Sequence, residues 1–479
     1  MLRVCWAIGG EELATFSVRD VRHVHQPVKY LKTLLRERCS IPVSIQKLLH
    51  DGHPLNDSQL QWRDEPMELM LVLASCHGQQ DQDRKLLEKL NGELSEYAVR
   101  HGNAEVVRRL LDAGADKDCP AFSSLHFAAS ETVLVLAAGL GHLGVVELLL
   151  ERGALIDGRR RDGRTALSCS GLNRHVEVSR LLLQAGAHPD LFDSYGMTAL
   201  HDAALEGHVE TVDLLVEYGA ELDLQTWNSH GTPLIEACRR GRVRSARSLL
   251  AARASHDLSD FGGKTALHHA AQEGHKKTVE LLLQHGADTN WQSCCGSTAL
   301  IEACRKPNGE ETFGRRRERR VYSNDTPYDW SIEWLSDGDD DRTADFHLRP
   351  DREPMHERFW RGNIQAAKLL LEARARHDLS DSGGMTALHH AAQKGHVEVL
   401  TLLLQHGAAT DFQSSNGRTP LIEACREGHV RAALLLLEAR ARQDLSDSGG
   451  MTALDHAAQQ GHTEISELLS TTCPCLDEP

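Results

Sequence analysis

Long hydrophobic runs are missing from this sequence. VLVLAAGLG, Val133 to Gly141, is among the longest apolar stretches, and a membrane-spanning helix needs about 20 such residues, so no span is expected. A secretory leader is missing as well. The opening MLRVCWAIGGEEL has no apolar core of its own, and Glu11 and Glu12 would spoil one. Twelve cysteines are present without framework spacing, which argues against a disulfide-stapled scaffold and fits a reducing compartment. A cytoplasmic location is expected, with the nucleus as the other reading. Positive charge is in short supply: 53 Lys and Arg face 69 Asp and Glu, a formal net charge of -16. Nucleic acid and anionic membrane are therefore repelled overall, and only local basic patches could meet such partners. No Ser/His/Asp order, phosphate-binding loop or HExxH zinc motif occurs, so neither an enzyme nor a cofactor is expected.

What is present is ordinary for folded protein, with 41% apolar and 25% charged residues. At 479 residues the chain exceeds one compact core, so several domains or a repeat array is expected. TALHHAAQEGH, Thr265 to His275, returns as TALHHAAQKGH from Thr386 and as TALDHAAQQGH from Thr452. The same opening falls at Thr132, Thr165, Thr198, Thr232, Thr265, Thr298, Thr386, Thr419 and Thr452, in steps of 33 or 34 with a single step of 88. The fullest copies go on to A-x-x-G-H, a leucine run and G-A-x-x-[DN]. Threonine can cap a first helix through its side-chain oxygen. Ala270 and Ala271 keep that helix slim. Gly274 suits a left-handed helix end, and Leu281 to Leu283 supply the apolar face of a second helix that Gly286 closes. Asp288 to Ser297 reads as an exposed hairpin.

A period near 33 with these signatures resembles the ankyrin repeat. The resemblance implies a mainly α solenoid, because one repeat cannot bury its own apolar face and must stack. About ten repeats are expected over residues 91–472, the first through YAVRHGNAEVVRRLLDAGAD, Tyr97 to Asp116, the last shortened near Leu468 to Ser470. From Thr232 onward LIEACR repeats, at Leu234, Leu300 and Leu421, alternate with ALHH or ALDH repeats. The true period there is a pair.

The first 75 residues stand apart. LRVCWAI, ATFSV, a helical VKYLKTLLRER, SIPVSIQKLLHDGHPLND and MELMLVL read as strand, strand, helix, strand, strand. That order, with I-P after the helix and Q-K-L-L-H-D-G in the next hairpin, resembles ubiquitin. The resemblance implies a small α+β β-grasp domain over 1–75 in which Ile8, Leu49 and Met70 match the apolar patch that meets ubiquitin receptors. Those three residues also suit core or inert surface. Where ubiquitin ends in diglycine this chain continues through Ala74, Ser75, Cys76 and His77, so conjugation is not expected. Residues 76–90, including the polar GQQDQDR, read as a linker.

The step of 88 is one repeat plus 55 residues. Arg305 aligns with Arg426 and Gly362 with Gly428, which places a flexible insertion at 306–360, between the two helices of one repeat. It holds a basic run, Arg315 to Arg320, an acidic run, Asp337 to Asp341, and eight of the 22 aromatics. YDWSIEWL, Tyr328 to Leu335, reads either as a docking segment or as a solvated excursion. GLGHLG, Gly139 to Gly144, matches a dinucleotide fingerprint, but the register makes Gly141 the helix-ending glycine of a repeat. Cys238, Cys304 and Cys425 stand where Ala271, Ala392 and Ala458 stand, as small buried residues. His142, His208, His275, His396, His429 and His462 recur one repeat apart. Packed helices lie about 8 to 10 Å apart, too far for equivalent histidines to share a zinc that needs each nitrogen at about 2 Å. No metal is expected.

The recurrent residues therefore build a frame, and candidate partner contacts are the variable ones: Arg159, Arg160, Arg161, Trp227, Trp291 and Phe412 on hairpins. A second set lies four residues after each threonine: Asp202, Glu236, His269, Glu302, His390, Glu423 and His456. This stripe reads either as a face toward a basic partner or as ordinary solvated positions. The expected function is a monomeric, non-enzymatic adaptor that binds other proteins through hairpin tips and the concave helix face, coupling a client to ubiquitin receptors. The alternative is a nuclear or regulatory adaptor whose basic insertion binds nucleic acid or an import receptor.

Overall fold

A computed structural model describes residues 2–6, 12–16, 26–39, 46–50, 53–54, 67–73, 87–88, 90–92, 94–95, 101–119, 132–305 and 355–472. The chain divides into two compact bodies, one reaching Ser194 and the other starting at Tyr195. No helix among the described residues is long and apolar enough to cross a membrane.

The first body opens with a five-stranded sheet. Strands β1 (Leu2–Trp6), β2 (Glu12–Phe16), β3 (Gln46–His50), β4 (His53–Pro54) and β5 (Met67–Leu73) lie in the order β2-β1-β5-β3-β4. β1 pairs antiparallel with β2 and parallel with β5, and β3 pairs antiparallel with β5 so that Leu49 stands opposite Met70. Helix α1 (Pro27–Cys39) spaces Val28, Leu31 and Leu35 on one face, and all three are buried, as is Leu48 of β3. Gln46 Nε2 donates to the Lys32 carbonyl at 3.0 Å, tying the helix to β3.

From Ala104 onward the described residues form helix pairs joined by turns. Each opening threonine is an N-cap in extended backbone. In the repeats at Thr132, Thr165, Thr198, Thr232, Thr298, Thr419 and Thr452 its Oγ1 accepts the amide three residues on, at 3.2 to 3.4 Å. Where histidine occupies that third position it does more. Nδ1 of His268 accepts the Thr265 amide at 3.3 Å, which leaves Nε2–H to donate to the Ser297 carbonyl of the next repeat at 3.0 Å. His201 bonds the Gly231 carbonyl and His389 the Arg418 carbonyl in the same way. In the alternate repeats the forward bond comes from a hairpin glutamine: Nε2 of Gln225, Gln292 and Gln413 donates to the carbonyls of Ser259, Ser380 and Ser446 at 3.0 to 3.2 Å. From Thr198 to Thr452 histidine and glutamine links therefore alternate, which gives the two-repeat period a physical content.

A third link joins the turns between helices. His429 Nε2 donates to the Gln393 carbonyl at 3.1 Å while its ring lies over Gly395, where a Cβ would stand 2.6 Å from Nδ1. Gly395 has φ +69°, so glycine is required there twice over, by conformation and by space. His275 and His462 bond Arg239 and Arg426 alike. Of the recurrent histidines, His275, His429 and His462 are thus inter-repeat hydrogen-bonding groups. Cys238, Cys304 and Cys425 are fully buried in the alanine positions, whereas Ala458 of the last described repeat is exposed.

The insertion differs from expectation at its end. Met355–Glu372 is one helix, so the segment expected to be flexible up to Trp360 is already helical from Met355 and runs without a turn into the second helix of the Thr298 repeat. The first helix of that repeat stops at Cys304, and Arg305 turns extended. With no tight return to make, Gly362 stays in the helix. Asn363 replaces histidine, fully buried, its Nδ2 donating to the Gln272 and Ala303 carbonyls at 3.3 and 3.4 Å. The rest of the expected insertion, 306–354, lies outside the described residues, as does the proposed linker apart from the short helical pieces at 87–88 and 90.

Burial holds His268 neutral, pushing its pKa from 6.5 down to about 4, and lowers that of His389 as well. A depressed histidine stabilises the fold fully above its unfolded value and loses that contribution as pH falls toward the folded one. For His268 the window is about 6.5 down to about 4, and the loss is on the order of 3 kcal/mol. Asp260 and Asp381 are held below their ordinary value and titrate lower still. Urea melts followed by circular dichroism should show the wild type weakening across that window. His268→Ser, which copies the Thr165–Ser168 cap, should be less stable at neutral pH and flatter against pH. Equal slopes for the two would contradict the assignment.

Candidate protein-interaction surface

Successive hairpin tips are joined by backbone hydrogen bonds. In the second body the amides of Trp227, Phe261, Cys294, Ser382, Ser415 and Ser448 donate in turn to the carbonyls of Tyr195, Ser229, Gly262, Cys295, Gly383 and Asn416 at 2.8 to 3.0 Å. Every tip is therefore bonded to the tip before it. Several large apolar side chains on the tips face water.

Trp227 is 58% exposed, and Trp291 and Phe412 are each 38% exposed. Trp291 Nε1 donates to the Gly263 carbonyl at 3.1 Å, and the Phe412 ring meets His389 edge-on at 6.2 Å. In the first body Arg159 lies 5.5 Å over the Phe192 ring and donates to its carbonyl, Arg160 faces Asp162 at 3.6 Å, and Arg161 is exposed. The structure adds residues that sequence reasoning passed over. Phe261 is the most exposed large hydrophobic residue described, at 76%, with His230 edge-on to it at 5.5 Å; Tyr195 is 52% exposed. A signal for Phe261 was available: it breaks the repeat's own D-S-G-G turn, in which Ser382 and Ser448 hold the matching place. Exposed tips are also where both described surface cysteines, Cys294 and Cys295, occur.

The second candidate set is turned inward, which corrects its reading as a face toward a basic partner. Asp202, Glu236, Glu302, His390, Glu423 and His456 are all buried, and His269 is nearly so. Their partners lie on the protein. Each histidine meets the aspartate of its own tip turn at 2.8 Å: His269 with Asp260, His390 with Asp381, His456 with Asp447. The aspartates use their other oxygen to accept turn amides, as Asp260 does from Gly262 and Lys264 at 2.9 and 2.8 Å. Glu302 is clasped by Lys264 at 3.1 Å and Arg305 at 3.3 Å, and Arg305 goes on to Asp381 at 2.9 Å. Glu423 sits between Arg418 and Arg426 at 3.5 and 2.9 Å, and Arg418 reaches Asp447 at 3.7 Å; Glu236 is held by Arg239. Burial works to raise the Glu302 carboxyl, yet Lys264 and Arg305 outweigh it and hold the pKa below the ordinary value. Buried charge is tolerated only when paired, so this ladder belongs to the frame.

Of the N-terminal candidates, Ile8 lies outside the described residues, and for Leu49 and Met70 the backbone alone is described, as adjacent partners on β3 and β5. The charged and aromatic runs of the insertion, Arg315 to Arg320, Tyr328 to Leu335 and Asp337 to Asp341, lie outside them too. No group of three or more histidine, cysteine or acidic residues that could hold a metal occurs among the described residues.

Comparison with known proteins agrees with the helix pairs. A family model described as ankyrin repeats in three copies matches residues 95–193, 134–226, 190–260, 234–313, 332–414, 355–447 and 407–475. The E3 ubiquitin-protein ligase XBAT33 of Arabidopsis thaliana is 42% identical over 80 residues, 16% of this chain and 16% of that protein. The human ankyrin repeat and KH domain-containing protein 1 is 46% identical over 68 residues, 14% of this chain and 2% of its own length. The potassium channel AKT2/3 of Arabidopsis thaliana is 39% identical over 70 residues, 15% of this chain and 9% of its own. Proteins so unlike one another by name share with this chain less than a fifth of their length. What they share is the repeat, and over most of its length this chain belongs to the ankyrin-repeat family.

Proposed function

We propose that this protein is a non-enzymatic adaptor whose tip row in the second body holds a client protein. The observation that carries this reading is the exposure of Tyr195, Trp227, Phe261 and Trp291 on turns fixed by backbone bonds. Aromatic side chains bury much area at little entropic cost, and they dominate interface energetics when their backbone is already in place. Ankyrin repeats bind other proteins, so the reading agrees with the family.

The proposed domains are a ubiquitin-like module at 1–75, a linker at 76–90 and the array at 91–472. Support for the first is the sheet order, with a parallel β1–β5 pair at its centre, and the buried helical stripe Val28, Leu31 and Leu35. The register that sets Leu49 opposite Met70 supports grouping these two in one docking patch. In this reading the module couples the client to ubiquitin-pathway machinery; XBAT33, an E3 ubiquitin-protein ligase, resembles this chain over 80 residues of the repeats alone. The adaptor acts as a monomer in the cytoplasm.

Two experiments on the full-length chain test the two halves. Trp227→Ala with Phe261→Ala should leave helical content and melting unchanged and weaken client capture, measured by affinity purification with quantitative mass spectrometry, by about tenfold or more. Unchanged capture would remove the tips from the account. Leu49→Glu should weaken capture of ubiquitin-receptor domains by about 2 kcal/mol in a titration while the fold stays intact. If the variant binds as the wild type does, the N-terminal patch has no role; if the domain unfolds, Leu49 is core.

A further inference from the structure

Seven cysteines have described side chains and are free. Cys119, Cys169, Cys238, Cys304 and Cys425 are buried, while Cys294 and Cys295 are exposed. Burial pushes the thiols of Cys119, Cys304 and Cys425 up to about 12 and raises Cys238 as well, which leaves them inert. The exposed pair sits in the turn from Ser293 to Gly296, closed by the Gly296 amide on the Ser293 carbonyl at 2.8 Å.

The two thiols are not equivalent. Cys294 is engaged, its Sγ donating to the Phe261 carbonyl at 3.9 Å. Cys295 has a hydrogen-bond donor instead. Ser293 Oγ accepts the Ser297 amide at 3.1 Å, so its own proton is free to point at Cys295 Sγ, 3.3 Å away. That bond, helped by the Ser297 amide and the Arg305 charge and opposed by partial burial and the Glu302 charge, holds Cys295 below the ordinary thiol range. Access is open on both sides. At the matching place in the neighbouring tips stand Gly262 and Gly383, which have no side chain to cover it.

We propose that Cys295 is a site of reversible thiol modification that reacts with low-molecular-weight disulfides. The Cys295 thiolate attacks one sulfur of RS–SR, a new S–S bond forms as the old one breaks, and RS⁻ leaves to take a proton from water. Cys295 is oxidised to the disulfide level, and half of the reagent is reduced to thiol. Cys294 is a poor resolving partner. Adjacent Cα atoms are about 3.8 Å apart across a trans peptide, short of the roughly 4.4 to 6.8 Å that an unstrained disulfide spans. The adduct therefore persists until an external thiol removes it. Seated four residues from Trp291, it adds bulk and charge to the tip row. Any effect on a client rests on the docking role proposed for the tips; the modification itself does not.

The test uses full-length protein and oxidised glutathione near neutral pH, quenched with acid over time. Cys294, Cys295 and Cys304 fall between Lys277 and Arg305 and share one tryptic peptide, so fragment ions must locate the adduct. Glutathione should appear on Cys295 at least about tenfold faster than on Cys294 or Cys304 and be removed by dithiothreitol. Cys294→Ser should keep the adduct. Ser293→Ala, with unchanged circular dichroism, should shift the pH at which Cys295 becomes reactive upward. Faster labelling of Cys294 or Cys304, or a Ser293→Ala variant with an unaltered pH profile, would overturn the proposal.

Discussion

Each hairpin of the second body carries carbonyls that a neighbouring repeat satisfies, and the rest of the stack depends on that debt being met. His268 shows the constraint most fully. One ring nitrogen caps its own helix through the Thr265 amide, and the other crosses to Ser297. A hydrogen bond of this kind contributes about 1 kcal/mol net, but an abandoned buried partner costs about 1 to 3 kcal/mol. Removing the histidine thus disturbs two repeats at once. Leucine and alanine burial supplies most of the cohesion, yet burial is indifferent to register; the hydrogen bonds are what fix one repeat against the next.

From this follows the two-repeat period. A histidine link runs forward from each ALHD or ALHH repeat, and a glutamine link runs forward from each LIEACR hairpin. The buried stripe alternates in step: histidine pairs with the aspartate of its own tip, and glutamate pairs with arginines or a lysine that reach across to the neighbouring aspartate. Glu302, Arg305, Asp381 and His390 form one such chain. A repeat placed next to the wrong type would leave Arg305 without Asp381. Alternation therefore specifies order along the array as well as holding it together.

Much of this was legible in the sequence. The spacing of threonines located every cap, and Gly274, Gly286 and Gly141 take the left-handed backbone that their places require. The buried cysteines followed from their alignment with alanine. The fate of the stripe did not follow, because what decides it lies elsewhere in the chain: Asp260 is nine residues before His269, and Arg305 is 76 residues before Asp381. Position on a helix told that these side chains share a face, but only the partners told that the face is closed. Second helices also end on arginine at positive φ, at Arg253, Arg374 and Arg440, where the other repeats use glycine, a substitution that no turn rule anticipates. At the insertion, alignment placed the boundary at Trp360 because it compared residues with their siblings; the helix instead begins at Met355, since a chain arriving from outside need not make the sibling turn.

In the proposed function, departures from the repeat carry the binding. Where siblings have serine, Phe261 and Cys294 stand on the tips; where siblings have glycine, Cys295 does. A tip that is both exposed and rigid is what a docking edge requires, because ordering cost is met in the fold rather than on binding. The most direct measurement is backbone hydrogen exchange of the free protein. The tip amides of Trp227, Phe261, Cys294, Ser382, Ser415 and Ser448 donate to neighbouring repeats, so they should exchange as slowly as amides in the flanking helices. Exchange at the rate of an open loop, with the helices still protected, would mean that the tips move independently of the frame and would contradict the account.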